Sequence, residues 1–155
     1  MNELRAFADG HWAAFAGLDT CPLALADAEL GPPLEDVLHG GRFGGGPAQF
    51  RRYAATDAAP GGVTGWVLGD VVIGLEMRHP TPSPSSLDDL GEPEAVISSE
   101  LGLAWQQQLW AGRGLVLHRR DAVIAVAFGL APFQPAAWES DPLRWWRVER
   151  RPRRP

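Results

Sequence analysis

Apolar residues recur along the first eighteen positions at spacings of three to five: Leu4, Phe7, Trp12, Phe15 and Leu18. That spacing predicts an amphipathic helix over residues 2–18, weakened at its middle by Gly10. A second helix is expected after Asp19-Thr20, with Pro22 in its first turn. It runs through LALADAEL to a stop at Gly31-Pro32-Pro33. A short helical turn, LEDVL, is expected next, and the glycine-rich GGRFGGGP at 40–47 reads as a loop. The period then changes. FRRYAAT (50–56), VTGWVL (63–68) and VVIGLEM (71–77) are strand candidates, the last two joined by a tight reversal at Gly69-Asp70. Alternation puts Val71, Ile73, Leu75 and Met77 on one face of the third strand, and Val72, Gly74 and Glu76 on the other. Trp66 falls opposite Val63, Gly65 and Val67. HPTPSPSS (79–86), with proline at every second position, is a stiff extended connector.

The second half repeats this outline. Leu30-Gly31-Pro32-Pro33 has a counterpart in Leu90-Gly91-Glu92-Pro93, each closing a short helical segment. RRYAA (51–55) matches QLWAG (108–112), which makes Tyr53 and Trp110 equivalent. VTGWVLGDVVIGLEM is echoed by GLVLHRRDAVIAVAFG, a strand, a turn carrying Asp70 or Asp121, and an apolar strand. In the second copy Ile124, Val126 and Phe128 are expected on one face. The fold class expected is α+β: tandem helix-plus-antiparallel-sheet units, helices on one face of the sheet and the other face partly exposed. Residues 1–143 form one globular domain, with pseudo-repeats at about 20–78 and 86–132 and a connector at 79–86. Residues 144–155 form an Arg/Trp-rich tail.

The two LGxP-type turns and the strand groups after them resemble the β-lactamase inhibitor proteins and the outer-membrane lipoproteins of the SmpA/OmlA type. The resemblance covers about residues 20–132. It implies a doubled architecture and protein binding through a concave sheet. The inhibitor proteins are secreted and disulfide-bonded, and the lipoproteins carry a lipidated cysteine behind a leader. This chain has a single cysteine, Cys21, with no apolar run before it.

Charge changes the picture by its distribution. The 155 residues carry a formal −5, but residues 1–143 hold 8 Arg against 18 Asp and Glu, while residues 144–155 hold 6 Arg and one Glu. An acidic body argues against nucleic acid as the main partner, because phosphate binding needs a cationic footprint. The arginine tail reads as a solvated end, with RNA or anionic lipid as the alternative partner. In size and acidity the chain also resembles bacterial immunity proteins. Residues 1–12 contain no leader-like apolar run and no stretch is long enough to span a membrane, so a cytoplasmic setting is expected.

Candidate chemistry is sparse. All basic residues are arginine, which removes Schiff-base and phosphate-loop lysines. His11, His39, His79 and His118 show no metal-ligand spacing, so neither metal nor cofactor is expected. Ser83, Ser85 and Ser86 sit near the connector, where hydroxyls cap backbone groups. Asp88-Asp89 read as helix support. Seven tryptophans are the informative excess. Tyr53, Trp66 and Trp110 are split between the core and an open sheet face, where aromatics beside arginine anchor interfaces.

The function expected from these residues is a protein-binding inhibitor or immunity-type module, acting without catalysis through an acidic, aromatic-bearing sheet face. Its candidate contacts are Tyr53, Trp66, Asp70, Glu76, Trp110 and Arg113, the acids complementing a basic target. The alternative is a small-molecule-binding protein or enzyme with a pocket between sheet and helices.

Overall fold

The computed structural model describes residues 3–43, 46–98 and 104–140. The elements are α1 (Glu3–Ala8), β1 (Cys21–Pro22), α2 (Leu23–Leu30), β2 (Glu35–Phe43), β3 (Gly46–Tyr53), β4 (Val63–Leu68), β5 (Val71–Arg78), α3 (Pro84–Asp88), β6 (Ala95–Ser98), β7 (Gln106–Trp110), β8 (Leu115–Arg120), β9 (Val123–Leu130) and α4 (Pro135–Ser140). One antiparallel sheet runs β2-β3-β4-β5-β9-β8-β7-β6, with β1 paired to β5.

This overturns the expected fold class. The molecule is dominated by a single sheet, not by tandem helix-plus-sheet units, and its helices are only five to eight residues long. The cause is the pairing of β5 with β9, Glu76 opposite Phe128, which joins both strand groups into one hydrogen-bonded surface. Each group is a four-stranded meander, and their pairings correspond. Tyr53 faces Val63 as Trp110 faces Leu115, and Trp66 faces Gly74 as His118 faces Val126.

Local expectations shift for identifiable reasons. The first helix stops at Ala8 because Gly10 takes φ +75°, and Trp12–Ala14 form a separate turn of 3-10 helix. The segment expected to be LEDVL helix and glycine loop is instead β2. It pairs with β3 and breaks register between Leu38 and Arg42, where Gly40 and Gly41 fall. Trp105, where helical spacing is also expected from the sequence, instead directly precedes β7. The Arg-rich tail lies outside the described residues.

One face of the sheet is covered by the N-terminal half's helices. Phe7, Trp12, Phe15, Tyr53, Val72, Leu75, Met77, Trp110, Leu115 and Leu117 belong to this core. Gly129 is there because Phe7 presses on the strand: a Cβ at 129 would sit 2.7 Å from the Phe7 ring. Tyr53 donates to Asp27 at 2.8 Å, and Arg51 holds Asp27 at 2.7 Å and Asp36 at 2.6 Å, tying α2 to the sheet. Burial first, and the Asp27 carboxylate second, push the Tyr53 phenol well above its usual range.

The second face carries a smaller cluster: Trp66, Leu109, Val116, Val126, Phe128 and Trp138, with Phe50, Ile73 and Phe133 against it. Trp138 of α4 caps the C-terminal half, its indole donating to Gln107 at 2.7 Å. Matching bulges fix this division. Ile73 in β5 and Ala125 in β9 are the extra residues, since Val67 pairs with Val72 while Trp66 pairs with Gly74, and Arg119 pairs with Ile124 while His118 pairs with Val126. Val72 therefore joins Leu75 and Met77 on the helix face, and Ile73 is turned away. Ile124 is likewise separated from Val126 and Phe128.

Candidate functional site

A row of residues crosses the second face perpendicular to the strands. The pairings run Glu35–Arg52–Thr64–Glu76–Phe128–Val116–Leu109–Ala95. The corresponding positions of the two meanders pair Glu35 with Ala95, Arg52 with Leu109, Thr64 with Val116 and Glu76 with Phe128. One half of the row is polar and the other is apolar. The apolar half lies in the cluster with Trp138; Arg52, Thr64 and Glu76 of the polar half line a cleft of ≈ 320 Å³ with Phe50, Gly61, Gly62 and Arg78.

Loop length contributes to this difference. The second meander crosses from β7 to β8 by the tight turn 111–114, whereas the first crosses from β3 to β4 through residues 54–62. Gly61 and Gly62 of that longer loop form one wall of the cleft.

At the floor lies Glu76, 3% exposed. A carboxylate out of water must be paired and hydrogen-bonded. Here Trp66 Nε1 donates to one oxygen at 3.2 Å and Arg78 Nε to the other at 3.3 Å. Phe50 packs edge-on against Trp66. Arg52 reaches Glu35 at 3.0 Å and the Gly61 carbonyl at 3.3 Å. Arg78 is 60% exposed at the rim.

The expected contact residues do not assemble into one acidic face. Trp66 and Glu76 meet on the second face, but Trp66 is buried and Glu76 is hydrogen-bonded by Arg78. Tyr53 and Trp110 point the other way, into the helix-side core, where Trp110 donates to the Gly91 carbonyl. Asp70 is exposed at the β4–β5 reversal and Asp121 at the β8–β9 reversal. Because β5 and β9 are antiparallel, these two turns lie at opposite ends of the sheet. Arg113 is a structural clasp: its Nη1 donates to the carbonyls of Ala13 and, at 3.1 Å, Phe15.

Phe50, Arg52, Thr64 and Arg78 were not picked out by sequence reasoning. The signal was present: strict alternation from Trp66 through Thr64, and outward from Glu76 to Arg78, places them on the same face.

Other candidates for chemistry are occupied by the fold. His11, Ser83, Ser85, Ser86 and Asp89 line a second cleft. Ser86 donates to the Gly10 carbonyl at 2.6 Å and accepts from the Trp12 amide at 3.0 Å, which commits its hydroxyl to the backbone. Burial raises the Cys21 thiol above its ordinary value, away from thiolate chemistry. Among the described residues, no group of three or more His, Cys, Asp or Glu is placed to hold a metal. No described helix is long and apolar enough to cross a membrane.

No protein-family model matches the sequence, and comparison with curated proteins and with solved structures gave no match.

Proposed function

We propose that this chain is a protein-binding module acting without catalysis, and that the polar half of its second sheet face is the contact surface. The observation that carries this reading is the split cross-sheet row. Corresponding positions are apolar in one meander, so the sheet does not demand polarity there. Glu76, Arg52 and Thr64 nevertheless occupy the same places in the other. Of the three, Glu76 is buried, and a buried carboxylate is costly for folding where an apolar residue would serve. Arginine beside aromatic rings is the composition of interface centres. The cleft is lined by three charged side chains, Arg52, Glu76 and Arg78, which suits a polar partner side chain better than an apolar metabolite.

The finer form of the reading is an inhibitor or immunity-type protein that occupies a toxin or enzyme in the cytoplasm. It is supported by the small size, the acidic body and the resemblance to sheet-binding inhibitor proteins. The single buried cysteine, with no disulfide, supports the cytoplasmic setting.

A photo-crosslinking residue placed at Thr64 in the full chain, expressed in cells that make it natively, tests the surface. A discrete protein adduct is expected from position 64 and none from Val123, an exposed residue beside the β8–β9 reversal. No adduct from 64, together with a metabolite that raises the melting temperature, overturns the reading in favour of a small-molecule binder.

A further inference from the structure

We infer that the cleft recognises a carboxylate presented by its protein partner, an Asp or Glu side chain or a chain terminus, with Arg78 as the principal clamp and Arg52 as the second. The inference rests on the binding reading above and names the chemistry of that same surface. It reverses the polarity expected from the acidic composition.

Donors and acceptors in the cleft do not balance. A guanidinium carries five N–H donors in a rigid fork. Arg78 uses one of them, Nε, on Glu76; Arg52 uses two, on Glu35 and on the Gly61 carbonyl. The rest have no partner among the described residues. Thr64, paired directly between Arg52 and Glu76, adds a hydroxyl to the same row. On the acceptor side, both Glu76 oxygens already receive hydrogen bonds, from Trp66 and Arg78. Unused charged donors therefore dominate the cleft, so its complement is an anionic acceptor.

Charge selects among anions. Arg52 and Arg78 are offset by Glu35 and Glu76, so the local surface is near neutral before binding. A dianionic phosphate would bring two uncompensated negative charges there, a single carboxylate only one. A single carboxylate matches the paired terminal N–H edge of Arg78, left open because Nε alone reaches Glu76. Glu76 thereby becomes a positioning residue: held by the Trp66 indole, it fixes the Arg78 side chain, whose stem would otherwise be free at the rim. Phe50 supplies the apolar wall against which a side-chain stem packs.

The test combines charge variants with a probe titration. With the crosslinker at position 64, Arg78→Glu is expected to lower adduct yield at least tenfold, Arg52→Glu several-fold, and Arg78→Lys only two- to threefold. Melting temperatures of all three confirm folding. In parallel, the Nε–Hε NMR signals of Arg78 and Arg52 are followed as N-acetylglutamate or inorganic phosphate is added to the wild-type chain. The expected result is saturable movement of Arg78 with N-acetylglutamate, exceeding that with phosphate, and its absence in Glu76→Gln. An undiminished adduct in folded Arg78→Glu overturns carboxylate recognition while leaving the contact surface intact. A larger response to phosphate also overturns it. Absence of any wild-type adduct overturns the surface itself, and the titration then still decides whether the cleft takes a carboxylate.

Discussion

Replacing Gly114 by alanine is expected to destabilise the protein by about 4 kcal/mol or more, into the range reached only by severe backbone or core conflicts. Gly114 follows the 111–113 turn with φ +68°, and a Cβ there would lie 1.9 Å from the Leu130 carbonyl oxygen and 2.8 Å from its carbon. No side-chain rotation relieves a clash with backbone. The end of β9 would have to move, breaking the 2.7 Å bond from the Leu130 amide to the Gly114 carbonyl. The Leu130 carbonyl also receives the Leu18 amide at 2.9 Å, so the N-terminal segment would be disturbed as well. Gly91→Ala is the control. It has φ +70° with nothing within 4 Å, and isolates the left-handed backbone penalty of about 1–2 kcal/mol. Denaturant unfolding of both variants checks this; equal losses would show that the Leu130 contact is not a constraint.

The second large effect is a fall in stability on acidification, caused by His118. This imidazole is fully buried, edge-on to Phe128 and paired across the strands with Gln107. Burial lowers its pKa from 6.5 to about 4. The folded chain thus keeps the ring neutral while the unfolded chain protonates it. At pH above 6.5 both states are neutral and the group contributes no pH dependence. Between 6.5 and 4 only the unfolded state takes up the proton, and stability falls by about 3 kcal/mol across that window. Below 4 both states are protonated and the slope ends. Carboxylates add their own acid sensitivity, so the discriminating quantity is the difference between wild type and His118→Gln. The variant is expected to lose about 2–3 kcal/mol less between pH 7 and 4.5, whatever its absolute stability. Parallel curves would show that His118 titrates freely in the fold.

Much of the strand arrangement was legible in the residues. The reversal at Gly69-Asp70, the equivalence of Tyr53 with Trp110, and the placement of Trp66 opposite Val63 all follow from period-two alternation and turn chemistry. What escaped was long-range. Nothing in VVIGLEM or AVIAVAF announces a bulge, yet Ile73 and Ala125 each reset the alternation and decide which valines enter the helix-side core. Nothing local says that β5 pairs with β9, and that pairing alone turns two strand groups into one sheet. Arg113 looked like a surface cation because its acceptors, the carbonyls of Ala13 and Phe15, are about a hundred residues away in sequence. Asp70 and Asp121 occupy equivalent turns in the sequence, but equivalence is not proximity. The β5–β9 register places them at opposite ends. Glu76 was noticed as an acid, but its character comes from Trp66 and Arg78, which pair it where it is buried.

The central claim is that the fold does not require polarity at Arg52, Thr64 and Glu76. Giving these positions the character of their counterparts, as Arg52→Leu, Thr64→Val and Glu76→Leu in one chain, with Trp66→Phe so that the buried indole N–H does not lose its acceptor, removes the buried carboxylate and extends the apolar row. Replacing a buried ionic group by apolar residues is often neutral or stabilising. The decisive measurement is the calorimetric melting temperature of this quadruple variant. A value equal to or above that of the wild type is predicted; a melting temperature lowered by ten degrees or more would show that the polar half-row holds the sheet together and contradict the account.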